Sequence, residues 1–156
     1  MLANSGCLRC CPGQTFHDNM VAHDAGIDEM KNVPGWTPYV CWNLYKTPAN
    51  YAEFLKSSWI RPEDLHHYDG LIDTVKLATR QHSHPRVVIW AYINRFFDGN
   101  LLDLCEPSFS PAFSPQIIDN RRFPADWFGT AAACAANCRN CGKCDTVLQQ
   151  VLQRME

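Results

Sequence analysis

Ile72-Asp73-Thr74-Val75-Lys76-Leu77-Ala78 is the stretch on which the fold turns. It alternates well enough to be a buried strand, ending at Thr79-Arg80. Upstream, Pro62-Glu63-Asp64-Leu65 has the proline and acidic residues of a helix first turn, and Gly70 closes that helix. Downstream, His84-Pro85 opens the longest predicted helix. There Val88, Ile89, Tyr92, Ile93 and Phe96 repeat at helical spacing until Asp98-Gly99-Asn100 stops it. Helix, strand, helix in that order implies parallel βα units and an α/β fold. The pattern supplies only about two or three strands, and a parallel sheet of that size has bare edges.

Working outward, Thr47-Pro48 begins a short helix through Lys56 with Tyr51, Phe54 and Leu55 on its apolar face. The segment 32–48, rich in proline and aromatic residues, reads as an irregular connection that brings Cys41 in from a distance. Ser108 to Pro115 reads as a loop or linker, and Ala125 to Cys134 and Asp145 to Arg154 as helices flanking a cysteine-rich tail. The chain accordingly divides into βα units over 1–106 and a linker with a metal-binding tail over 107–156. With 156 residues and 46% hydrophobic residues it can bury a core. A formal charge of −2 without a run of Lys or Arg gives no footprint for wrapping nucleic acid, although a small local patch can still hold a substrate RNA. The apolar stretch Val87 to Ile93 is far too short to span a bilayer. The first residues lack the basic and long apolar regions of a secretory signal, so a cytoplasmic location is the default expectation.

The nine cysteines carry the chemistry. Cys138-Arg-Asn-Cys141-Gly-Lys-Cys144 is a CxxCxxC run, a spacing that lets three thiolates from one tight loop cap three irons of a [4Fe–4S] cube. The fourth ligand is either Cys134 or a cysteine of the first group. Zinc also accepts four thiolates, but its CxxC pairs normally come from separated knuckles. In the first group, Cys7-Leu-Arg-Cys10-Cys11-Pro12, Cys7 and Cys11 are the expected cofactor ligands, with Cys41 a third after the intervening loop. Cys10 equally suits a packed small apolar residue. Cys105, after Leu101-Leu102-Asp103-Leu104, is expected in the core. An odd count and CxxC spacing without a secretory signal favour metal or redox chemistry over disulfides.

His17 and His23 follow the first cysteines closely enough to serve as an acid or a ligand, or to be ordinary surface or hydrogen-bonded histidines. His66 and His67 are assigned to solvent. Arg61, Lys76 and Arg80 cluster around strand ends, where a parallel barrel places its active site, and suit an anionic or polar substrate. Their alternative is an ion-pair set with Glu63, Asp64 and Asp73. The motifs GxSxG, HExxH, Walker A and GxGxxG are absent.

Four stretches resemble the C-terminal half of the collagenase-like peptidase family, U-32. They are Asn4-Ser-Gly-Cys7 with Cys11-Pro12 and His17; Ile60-Arg-Pro-Glu-Asp-Leu65; Ile72-Asp73 with Val75-Lys-Leu-Ala78 and Arg80; and Gly99-Asn-Leu-Leu-Asp-Leu104. The resemblance implies the last strands of a TIM-type (β/α) barrel followed by a helical cysteine-rich tail. It also implies a [4Fe–4S] cluster on four cysteines, oxygen-independent hydroxylation of RNA or a small aromatic ring, and an N-terminal half-barrel partner. A metal-dependent peptidase, a zinc-stabilised interaction module without chemistry, and an inactive fragment needing a partner are the alternatives.

Overall fold

The computed structural model describes residues 1–9, 11–22, 40–80 and 82–155. Met1 to Cys7 lies extended and is hydrogen-bonded on both edges. On one edge the Lys76 N–H donates to the Met1 carbonyl (2.7 Å) and the Ala3 N–H donates to the Lys76 carbonyl (3.0 Å). Further along that edge the Ile60 N–H donates to Ala3 (2.8 Å) and the Ser58 N–H to Cys7 (3.3 Å). On the other edge the Glu106 N–H donates to Asn4 (2.9 Å) and the Gly6 N–H to Glu106 (3.3 Å). Odd residues serve one side and even residues the other, as an extended chain requires. The result is two parallel bridges, Leu2 with Lys76 and Ser5 with Glu106.

The Asn4 side chain fixes this arrangement. It is fully buried, and its amide donates to the carbonyls of Ala78 (2.7 Å) and Leu104 (3.0 Å) while its Oδ1 accepts from the Ala78 N–H (2.7 Å). Gly6 follows because the chain passes too close for a side chain: an added Cβ would stand 2.6 Å from the Phe109 ring.

Around this segment stand α1 (Gln14–Ala22), α2 (Val40–Tyr45), α3 (Pro85–Asn94), α4 (Ser110–Phe113), α5 (Trp127–Ala132) and α6 (Lys143–Val151). Among the described residues, five 3₁₀ segments complete the frame: Pro48–Lys56, Pro62–Tyr68, Leu101–Leu104, Asn120–Arg122 and Cys138–Asn140. Two regular strands among the described residues, β1 (Gln116–Ile118) and β2 (Leu152–Arg154), pair antiparallel with Ile117 opposite Gln153. The described chain is thus mixed α/β with a small two-stranded sheet.

An aromatic core joins these pieces. Tyr51 stacks on Phe113 (4.1 Å), Tyr45 meets Phe109 edge-on (4.9 Å), and Trp59 stacks on Trp127 (5.9 Å), linking residues before and after the 106/107 division. Val147 and Val151 bury the inner face of α6 in the same core. A buried polar knot sits beside it. Asn120 accepts from Arg61 Nε (3.1 Å) and donates to Glu63 (2.9 Å) and to the Phe97 carbonyl (2.8 Å).

The expected buried strand over 72–78 is present only as the bridge at Lys76, and Asp73, Thr74, Val75 and Lys76 are exposed. Among the described residues the segment is paired along one edge, so its alternating pattern has little to bury against. The expected helical faces fare unequally. Tyr51, Phe54 and Leu55 are buried as their spacing indicates. On α3 the buried residues are Val88, Ala91 and Tyr92, whereas Ile89, Ile93 and Phe96 are exposed. That helix is apolar on almost every side, and packing against Pro62–Tyr68 selects the face carrying small Ala91. Its stop is Arg95 in the left-handed conformation (φ 51°), one turn earlier than the glycine expected. The tail ends in a strand rather than in helix to Arg154, and residues 110–113 of the expected linker are helical. The expected irregular connection falls largely outside the described residues, and its described end, Val40–Tyr45, is helix.

Replacing Asn4 by alanine removes three hydrogen bonds and strands buried backbone groups, so Asn4→Ala is expected to destabilise the chain by about 2–3 kcal/mol in urea unfolding. Ile93→Ala, on the exposed face of α3, is expected to change stability by less than about 0.5 kcal/mol.

Candidate metal centre

The tail thiols border one depression because α6 is anchored. Its apolar face packs on the Pro48–Lys56 segment and on Asn120–Arg122, and β2 pairs it down to β1. The loop between α5 and α6 therefore has both ends fixed. Gly142 enters α6 at φ +63°, a conformation that glycine adopts without strain, which lets Cys141 and Cys144 lie on one tight turn. Cys144 occupies the first turn of α6, where the helix dipole favours an anionic sulfur.

Cys134, Cys138, Cys141 and Cys144 all line one depression of about 930 Å³, together with Lys56 and Arg61. Cys134, Cys138 and Cys141 are exposed and Cys144 is half-buried. Burial is the main cause that pushes the Cys144 thiol up; Lys56 pulls it down, and the other three tail thiols push it up again. Cys134 thus borders the same depression as the three cysteines of the CxxCxxC run.

A second thiol group lies at the other sequence end. Cys7 stands where the extended Met1–Cys7 segment ends, on the side toward which the parallel pieces run, the customary place for sites in parallel α/β proteins. Burial first, and then the neighbouring Cys7 and Cys11 thiols, push the Cys41 thiol up to about 11 against backbone N–H groups that lower it. Cys7, Cys11 and Cys41 are each half-buried. Cys10 and His23 lie outside the described residues. Each group has the donor chemistry of a thiophilic metal or an iron–sulfur cluster. Among the described residues, no three His, Cys, Asp or Glu side chains already surround one point as a coordination shell.

The remaining residues singled out in the sequence are dispersed. His17 is half-buried on α1, and Lys76 and Arg80 are exposed. Arg61 borders the depression, but its guanidinium is engaged by Asn120, by Glu63 at 3.5 Å and Asp64 at 4.0 Å, and by the Phe123 ring 5.0 Å away. Asp73, proposed for that ion-pair set, is exposed and forms none of its contacts. Cys105 is buried in the core, and His66 and His67 are exposed with His67 stacked on Phe128 at 3.8 Å. Lys56 and Glu53, 2.6 Å apart beside the tail thiols, carried no sequence signal beyond an ordinary i, i+3 pair.

No protein-family model matches the chain, and no solved structure matches it. Among curated proteins, the chain is similar to the uncharacterized protease MJ1657 of Methanocaldococcus jannaschii, with 32% identity over 98% of its own length. That similarity is consistent with the resemblance to the collagenase-like peptidase family, U-32, read from the sequence. It spans 45% of that relative's length. No helix among the described residues is long and apolar enough to cross a membrane.

Cys105 predicts a pH dependence. Burial raises its thiol far above the ordinary value of 9.0. Below pH 9.0 the thiol is neutral in both folded and unfolded chains, so its contribution is intact; above it only the unfolded chain ionises, and stability falls. Denaturant midpoints are expected to decline above that pH, with a shallower decline in Cys105→Ala.

Proposed function

We propose that the chain is an iron–sulfur-binding member of the collagenase-like peptidase family that takes part in oxygen-independent hydroxylation, or a related modification, of RNA or a small aromatic substrate. The observation that carries this proposal is the gathering of Cys134, Cys138, Cys141 and Cys144 around one depression. Cys7, at the end of the extended segment, with Cys11 and Cys41 would serve a second cluster with one position left for a solvent, substrate or further ligand. A bound cluster would supply electron transfer or anchor a substrate. The chain's own residues would supply thiolates and present Arg9, Lys56 and Lys143 along the depression for an anionic group. The chain would contribute the late strands of a TIM-type barrel, its remaining strands coming from an N-terminal half-barrel.

The peptidase alternative rests on the printed name of the relative. A cysteine nucleophile works as a thiolate, and burial raises Cys41, Cys105 and Cys144 away from that state. The zinc-stabilised module shares the same donor set and differs in the metal found.

Anaerobic purification separates these alternatives. The protein is expected to be brown, absorbing near roughly 400 nm with about four irons per cluster. Cys138→Ser, Cys141→Ser and Cys144→Ser should each sharply lower bound iron, and Cys105→Ser should leave it unchanged. A colourless protein with stoichiometric zinc would support the module, equal metal loss in all four variants would overturn the ligand assignment, and metal-dependent cleavage of casein would support the peptidase.

A further inference from the structure

Four thiolates around a zinc ion or a [4Fe–4S]²⁺ core leave a net double negative charge, and a group of that kind needs donors and positive charge around its sulfurs. Lys56 stands where such a group would form. It closes the Pro48–Lys56 segment against which α6 packs, and its side chain lines the depression with all four tail cysteines. Its ammonium donates to Glu53 Oε1 at 2.6 Å, and that bond uses one of three donors. The side chain is only 28% exposed, so the charge is partly withdrawn from solvent screening. Burial opposes the ammonium form, yet Glu53 and then Cys138 and Cys144 raise its pKa overall.

We infer that Lys56, oriented by Glu53, is the charge-compensating residue of the tail thiolate group, donating toward the sulfurs of Cys138 and Cys144 when that group holds a metal. The inference rests on the tail cysteines binding metal as proposed above. Glu53 is the positioning residue: its carboxylate holds the ammonium at the rim, eighty-odd residues away in sequence from the thiols it serves. Lys56 thereby tunes how tightly the tail holds a divalent ion without being a ligand itself.

The test titrates Co²⁺ alone into the full-length chain under anaerobic conditions, in a Cys41→Ser background so that the thiolate-to-cobalt absorption band reports the tail. Lys56→Met and Lys56→Gln are each expected to weaken Co²⁺ binding by about tenfold, the lower end of the range for partners that surround metal ligands. Lys56→Arg, which keeps the charge and the donors, is expected to restore most of the affinity. Thermal unfolding of the metal-free variants separates loss of charge from loss of packing, because a merely structural role would not be rescued by arginine. Lys56→Met and Lys56→Gln that are folded and bind Co²⁺ as tightly as the parent chain would overturn the role of Lys56. A parent chain that develops no thiolate-to-cobalt band would overturn metal binding by the tail itself. If Lys56→Met does not fold, the ratio between Lys56→Gln and Lys56→Arg decides the question in the same way.

Discussion

The extended segment Met1–Cys7 is hydrogen-bonded along both edges to stretches that lie 50 to 100 residues away, and the Asn4 amide ties two of them together. Ser58, Ile60, Lys76, Ala78, Leu104 and Glu106 all find backbone or side-chain partners there. A buried polar group without partners costs about as much as a single mutation can remove from a small domain, so these contacts specify one arrangement of the chain. They also fix the exit of the segment, which is where Cys7 stands. The lack of space at Gly6 belongs to the same constraint, since Phe109 closes over the backbone at that point.

The tail owes its placement to a different kind of force. Val147 and Val151 bury one face of α6, Trp127 stacks against Trp59, and the β1–β2 pair holds the C-terminal end. Apolar burial and aromatic contact thus pin both ends of a loop that has few contacts of its own. The loop's cysteines remain accessible, and Lys56 and Glu53 come to them from the packed side. Such a loop keeps its thiols close without spending its own residues on packing, and a bound metal would supply the missing cross-link.

The sequence made the CxxCxxC run legible because intervals of three residues keep Cys138, Cys141 and Cys144 on one short loop, whereas Cys134, four residues upstream, is one of two choices for a fourth partner. The same holds for Tyr51, Phe54 and Leu55, whose spacing selects one face of a short segment with polar residues opposite. Where every face is apolar, as in α3, periodicity carries no decision, and packing against Pro62–Tyr68 makes it instead. The strands β1 and β2 are three residues long, too short to show a period of two. Their pairing depends on a chain reversal more than thirty residues long that only tertiary structure reveals. Cys41 could be proposed beside Cys7 and Cys11, whereas Lys56 could not, because a lysine three residues after a glutamate looks like any solvated helix pair. Arg61 shows the converse case: a residue noted for substrate binding is engaged by Asn120, Glu63, Asp64 and Phe123.

Two thiol groups, one set by the central segment and one by the anchored tail, are the feature on which the functional account rests. Their environments differ: the first is half-buried throughout and carries a thiol raised to about 11, whereas the second is largely open and flanked by a lysine. X-ray absorption at the iron edge of the anaerobically isolated protein tests the account most directly. Iron surrounded mainly by sulfur, with an iron–iron shell behind it that is diminished in Cys141→Ser, is the predicted result; iron bound by oxygen and nitrogen, with no iron–iron shell, would contradict it.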